Sequence, residues 1–181
     1  LYSGPHVYVR ELLQNAVDAV TARRSVDEHC DASIEVRPAD VGTGGMLAVV
    51  DTGIGLTLDE VGELLATIGG TSKRDPLGFG REDFLGQFGI GLLSCFLVTD
   101  EVQVVTRSAA PDQPAVMWLG RSSGVYEARE LADDESDLLG LLPAGGVGTS
   151  VMFRPRVGRA EWTTSTTVLR LAQEYGELLP M

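Results

Sequence analysis

The sequence predicts an α/β fold, an α+β two-layer sandwich with helices packed on one face of a mixed, mainly antiparallel sheet. Three observations predict it. Helical apolar spacing recurs near the start, in the middle and at the end of the chain, and short strand-like runs lie between. No internal repeat or low-complexity tract interrupts them. With 181 residues the chain suits one domain with a substantial core and is short for two.

Over residues 7–24 the apolar side chains Val9, Leu12, Leu13, Ala16, Val17 and Val20 mark a helix with a broad buried face. Ser33 to Arg37 and Met46 to Val50 read as strands joined by a turn rich in glycine (Gly42, Gly44, Gly45). Asp59 to Ile68 returns to helical spacing. Gly69 to Asp83 is polar, rich in glycine and broken by Pro76, which predicts a loop or lid. Gly86 to Val98 is a glycine-rich turn running into a short apolar helix. Strands follow at Glu101 to Arg107, Ala115 to Leu119, Val125 to Glu130 and Thr149 to Arg154, with acidic Asp133 to Asp137 as a solvated connection. Thr166 to Leu179 closes as an amphipathic helix.

The charge balance is 26 acidic against 14 basic residues, net -12, so the overall field favours neither nucleic acid nor an anionic membrane. An anion must therefore be held locally. No apolar run approaches a membrane span and the start lacks a signal-peptide pattern, so the expected setting is soluble and cytoplasmic. Cys30 and Cys95 have no metal or disulfide spacing and read as buried or incidental thiols. The turn-like opening and the uncapped end predict a piece of a longer protein.

Four constellations could carry chemistry. Glu11, Asn15 and Asp18 fall at i, i+4 and i+7 on one helix face, which a solvated surface would also explain. Asn15, however, sits among Leu12, Leu13, Ala16 and Val17, where an amide needs a specific ligand such as a metal. Asp51, Thr52, Gly53, Ile54 and Gly55 follow an apolar strand: a carboxylate at the strand end, then glycines that let a ligand approach bare backbone. A capping turn would look the same. Gly86, Gln87, Phe88, Gly89, Ile90 and Gly91 precede a helix, where closely spaced N–H groups can hold an anion. This is no dinucleotide fingerprint, because a lid-like loop and not a strand enters it, and a Walker lysine is absent. Gly148 and Thr149 open a strand and would be ordinary turn chemistry alone.

Taken in order, the run Arg10 to Ala19, Asp51 to Gly55, Gly86 to Gly91 and Gly148 to Thr149 resembles the successive nucleotide-binding boxes of the GHKL ATPases. That superfamily includes ninety-kilodalton heat-shock chaperones (HtpG in bacteria), type II topoisomerase subunits, MutL mismatch-repair proteins and sensor histidine kinases. The runs VYVRELLQNAVDA, TIGGTSK and FLGQFGIGLLSCF are most similar to the chaperone version, and the likeness runs nearly end to end.

The resemblance implies the Bergerat sandwich, with ATP or ADP and Mg2+ bound between helices and sheet, and hydrolysis driving a protein-folding cycle. By position, Glu11 would polarise the attacking water, Asn15 would coordinate Mg2+, and Asp51 would accept the exocyclic amine of adenine. Asp18, Gly53, Gly55, Leu56 and Thr149 would line the adenine site, and Gly86, Gln87, Phe88, Gly89, Ile90 and Gly91 would wrap the phosphates. Residues 69–85 would be the ATP lid, and residues 1–181 one N-terminal domain of a longer chaperone.

There are departures. Leu56 stands where the chaperones usually carry Met, and Gly69-Gly70 replaces the usual Ala-Lys, leaving Lys73 and Arg74 as the nearby cations. The lid is shorter than usual. An N-terminal swapping strand and a middle domain lie outside this sequence, so the implied partners, a second protomer, client proteins and co-chaperones, belong to the full-length protein. The alternatives are a histidine-kinase catalytic domain, a DNA-linked ATPase of the MutL or topoisomerase type, which the acidic balance disfavours, and a nucleotide-binding module that has lost useful turnover, which the altered lid leaves open.

Overall fold

The structure, a computed structural model, describes residues 4–41, 44–69 and 91–176, with 65–69 described by backbone alone. Helix α1 spans Val7–Val26 and is followed by strands β1 (Ile34–Arg37) and β2 (Leu47–Asp51), then helix α2 (Leu58–Gly69). A helical turn at 91–93 tightens into a 3-10 turn, Ser94–Leu97, which leads to β3 (Glu101–Arg107), β4 (Val116–Arg121) and β5 (Tyr126–Glu130). Next come α3 (Ser136–Leu139), β6 (Gly148–Phe153), a 3-10 turn at Ala160–Thr163 and α4 (Ser165–Gly176).

The strands form one sheet in the order β1-β2-β6-β3-β4-β5. Every pairing among the described residues is antiparallel, so the mixed sheet expected from sequence is antiparallel throughout that region. β2 is buried along its whole length, whereas β1 alternates and β5 exposes most of its residues, as befits edges.

The main core lies between the helices and one sheet face. Tyr8, Val9 and Leu12 of α1 pack with Leu47 and Val49 of β2, Val102 and Val104 of β3, and Val151 and Phe153 of β6. Each Val or Leu so buried contributes about 1.5–3 kcal/mol over its exposed state. Tyr8 meets Phe153 edge-on, ring centroids 5.4 Å apart, and its hydroxyl donates to the Trp162 carbonyl at 2.6 Å. Burial pushes the Tyr8 phenol far above its ordinary pKa, with Cys95 adding to the effect. That hydroxyl is a fixed donor, and it pins the start of α1.

Helix α2 begins at a reciprocal cap: Glu60 N–H donates to Thr57 Oγ1 at 3.3 Å, and Thr57 N–H donates to Glu60 Oε2 at 2.8 Å. Its residues Val61 and Leu64 join the main core, alongside the stacked Trp118 and Tyr126 rings at 5.8 Å.

The opposite sheet face carries a second core of Ala48, Val50, Val105, Ala115, Met117, Leu131 and Met152. Leu138, Leu139, Leu141 and Leu142 pack against it. The connection expected at Asp133 to Asp137 therefore holds the start of a one-turn helix, α3, because the leucines that follow it have sheet to cover. Asp133, Asp134 and Asp137 are exposed, as expected, while Glu135 is half-buried and paired with Arg129 at 2.6 Å.

Candidate functional site

The polar face of α1 is not a solvated stripe. Asn15 is 4% exposed, and its Nδ2 finds no hydrogen-bond partner among the described residues. A buried amide without a partner costs about 1–3 kcal/mol, so its retention points to a ligand. Glu11 and Asp18 above and below it are half-buried, and Asp18 Oδ1 accepts from Gln14 Nε2 at 2.9 Å.

Gly91 closes against this face. A Cβ placed there would stand 3.0 Å from Glu11 Oε2 and 3.4 Å from Asn15 Nδ2, so the end of the glycine-rich run lies directly beside the helix carboxylate and amide. Gly86, Gln87, Phe88, Gly89 and Ile90, and the lid beyond α2 over 70–85, lie outside the described residues.

The second half of the site is the turn after β2. Asp51 is 5% exposed, and its Oδ1 accepts the Gly53 N–H at 2.8 Å. Burial raises its carboxyl to a pKa of about 7, against a smaller downward pull from the backbone N–H groups of Gly53 and Thr149. Thr52 ties the turn to the chain before β1, donating to the Asp31 carbonyl at 2.7 Å and accepting from Ser33 N–H at 2.8 Å.

Two glycines let this turn nest between α1 and β3. A Cβ on Gly53 would overlap Ala19 Cβ at 2.5 Å, and Ile54 N–H donates to the Ala19 carbonyl at 3.0 Å. Gly55 has φ of 63°, and a Cβ there would lie 1.9 Å from the Arg107 carbonyl oxygen. Leu56 is 3% exposed and belongs to the main core.

Thr149 stands opposite Asp51 in the β2–β6 ladder, and Thr106 stands opposite Thr149 in the β6–β3 ladder. The three side chains form a polar row across adjacent strands on the helix-facing side of the sheet. Thr106 is fully buried; its Oγ1 accepts Leu56 N–H at 3.0 Å and lies 2.9 Å from Thr149 Oγ1. Sequence reasoning passed over Thr106. Its signal was the alternation Val102, Val104, Thr106, in which a hydroxyl falls on the apolar face of β3.

The structure thus gathers Glu11, Asn15 and Gly91 at one point, and Asp51, Gly53, Gly55, Leu56 and Thr149 around another, both on the helix side of the sheet. Asn15 could hold a cation: turning its amide over exchanges Nδ2 for Oδ1, an oxygen of the kind a hard divalent ion takes. No group of three His, Cys, Asp or Glu side chains suited to a metal occurs among the described residues. None of the described helices is long and apolar enough to cross a membrane.

Residues 2–118 match the family described as histidine kinase-, DNA gyrase B-, and HSP90-like ATPase. The chain is 36% identical over 140 residues to the mitochondrial heat shock protein 75 kDa of Rattus norvegicus, which covers 72% of this chain and 20% of that protein. It is 35% identical over 148 residues to chaperone protein HtpG of Pasteurella multocida (strain Pm70), covering 75% and 24% respectively. With the chloroplastic heat shock protein 90-5 of Arabidopsis thaliana it shares 32% identity over 196 residues, 99% of this chain and 24% of the relative. The chain therefore spans only a fifth to a quarter of the length of these relatives.

Proposed function

Because the chain belongs to the histidine kinase-, DNA gyrase B- and HSP90-like ATPase family, we propose that it is the N-terminal nucleotide-binding domain of an HSP90-type chaperone. In this reading it binds ATP and ADP with Mg2+, and hydrolysis drives a protein-folding cycle. The observation that carries it is the meeting of Glu11, Asn15 and Gly91 on one side of the sheet that also holds the Asp51–Thr149 pair. Gly53 and Ile54 lie against Ala19, one helical turn beyond Asn15, so the two clusters follow one another along α1, as the two ends of a nucleotide would need.

Each residue then has a separable task. Asp51, held by Gly53 N–H, accepts from the adenine amine, with Thr149 beside it and Leu56 as apolar wall. Gly53 and Gly55 let the turn pack against Ala19 and Arg107, which holds the Asp51 end of the site in place. Asp18, steadied by Gln14, supports the same end through ordered water. Asn15 would hold Mg2+, which when bound supplies positive charge to the phosphate oxygens. Gly86, Gln87, Phe88, Gly89, Ile90 and Gly91 offer backbone N–H groups to the phosphates, and 69–85 forms the lid. Glu11, on a rigid helix, orients and deprotonates the attacking water.

The whole protein would act as a homodimer on client proteins with co-chaperones, in the cytoplasm, without contacting nucleic acid or membrane. Bacterial relatives named as chaperones support this choice over a histidine kinase or a DNA-linked ATPase. Calorimetry of this chain with ADP and with ATP, in the presence of Mg2+, tests the binding step. A folded protein giving no heat with either nucleotide overturns the reading.

A further inference from the structure

We propose that Thr106 is a positioning residue that fixes the Thr149 hydroxyl as a hydrogen-bond acceptor and so sets a preference for a 6-amino purine over a 6-oxo purine. This deepens the adenine-nucleotide reading and rests on it.

The protons around Thr106 set the direction of its bonds. A threonine hydroxyl has one proton to donate and two lone pairs to accept with. Around Thr106 Oγ1 stand three partners: Leu56 N–H at 3.0 Å, the Gly148 carbonyl at 3.1 Å and Thr149 Oγ1 at 2.9 Å. Leu56 N–H can only donate and the Gly148 carbonyl can only accept. Thr106 therefore gives its proton to Gly148, and the one partner able to fill its remaining lone pair is the Thr149 hydroxyl, acting as donor. This arrangement gives each of these groups a partner, and in a fully buried site an unused group is costly.

The consequence reaches the ligand end of the row. With its proton committed to Thr106, Thr149 presents lone pairs only. Asp51, directly across the β2–β6 ladder, presents carboxylate oxygen, and its Oδ1 already accepts from Gly53. Two neighbouring acceptors suit an exocyclic amine, directly or through a water. A 6-oxo purine brings an oxygen to the same place and meets acceptors. Were Thr149 free to rotate, its proton could turn toward that oxygen and weaken the discrimination.

Thr106 touches no ligand in this scheme; it acts through Thr149. A merely structural threonine would, on removal, weaken all purine nucleotides alike, whereas a positioning residue changes the ratio between them. The experiment is calorimetric titration of this chain with ADP and with IDP, on the parent, Thr106→Val, Thr106→Ser and Thr149→Val, and on the Thr106→Val, Thr149→Val double variant.

The ADP:IDP affinity ratio should fall by about tenfold in Thr106→Val and stay within about threefold of the parent in Thr106→Ser, since one well-placed hydrogen bond carries discrimination of that order. The double variant should discriminate no less than Thr149→Val alone, because the two act in series. If Thr106→Val does not fold, Thr106→Cys, of similar size but a weak donor and acceptor, takes its place with the same expected fall. A ratio unchanged in the variant lacking the hydroxyl, with ADP still bound by the parent, overturns the proposal and leaves the nucleotide reading intact. A parent that binds neither nucleotide overturns both.

Discussion

Gly91 lies against Glu11 so closely that a methyl group at position 91 would stand 3.0 Å from the Glu11 carboxylate oxygen. The nearest obstructing atom is the far end of a flexible side chain, so the carboxylate must move, while Glu11 Cβ at 3.3 Å asks only a slight shift of the helix. Gly91→Ala should therefore fold with a Tm within a few degrees of the parent and bind ADP, while hydrolysing ATP at least about tenfold more slowly. Displacing a catalytic group by a fraction of an ångström to one ångström has effects up to about a hundredfold. Thermal unfolding and single-turnover hydrolysis, measured together, check it. Parental turnover would separate Gly91 from the Glu11 carboxylate's work.

Glu11 and Asn15 are one helical turn apart on α1 and should fail differently. Glu11→Ala should keep ATP affinity within a few-fold and lower hydrolysis by roughly two orders of magnitude, the scale of a lost general base. Asn15→Ala should weaken binding most when Mg2+ and a γ-phosphate are both present, and least for adenosine. Its Nδ2 is buried without a partner among the described residues, so removing the amide relieves that cost and should not destabilise the apo fold. Parallel titrations with and without Mg2+ read the difference. Equal loss of affinity in both variants would make the stripe structural.

Gly55 should be the least replaceable residue of the turn. Its φ of 63° is strained for an alanine, and the added Cβ would sit 1.9 Å from the Arg107 carbonyl oxygen. That atom is backbone within the sheet and cannot yield cheaply. Gly55→Ala should lower stability by about 2–4 kcal/mol, on the scale of a strained backbone combined with overpacking, and lose ADP binding even where the chain still folds. Denaturant unfolding with and without ADP measures both. Full nucleotide affinity in Gly55→Ala would mean the turn does not shape the base pocket.

Much of this was legible because the signals are local. An amide among Leu12, Leu13 and Ala16 announces itself within one helical turn, and Asp51 after Leu47 to Val50 within one strand. The β3 bounds, Glu101–Arg107, follow from alternation alone. Thr106 was not legible, since threonine is an ordinary strand former and its meaning comes from Thr149, 43 residues later, through a register that alternation does not specify. The cover over the outer sheet face was missed for another reason: the acidic residues before Leu138 masked the leucines that pack there. The readings at 70–85 and at Gly86, Gln87, Phe88, Gly89 and Ile90 rest on sequence, as those positions lie outside the described residues.

The buried carboxyl of Asp51 should make both stability and base binding depend on pH, with opposite signs. Its folded pKa of about 7 lies above the ordinary value of 3.8, so between the two the folded state holds a proton that the unfolded state has released. Its contribution to stability is fully present below the unfolded value and is lost as pH rises through about 7, with a slope approaching about 1.4 kcal/mol per pH unit for one proton. Base binding runs the other way. The adenine amine is best met by the ionised carboxylate, so affinity should rise with pH and level off above about 7. Adenosine is the ligand to use, because it has no phosphate of its own to titrate. Asp51→Asn should abolish both its binding and the stability slope, since an amide presents a donor as well as an acceptor and does not ionise. Urea unfolding and adenosine titration of parent and variant, from pH 5.5 to 8.5, check the two signs separately. Adenosine affinity that is flat across this range, or an Asp51→Asn protein that binds as the parent does, would remove Asp51 as the adenine anchor.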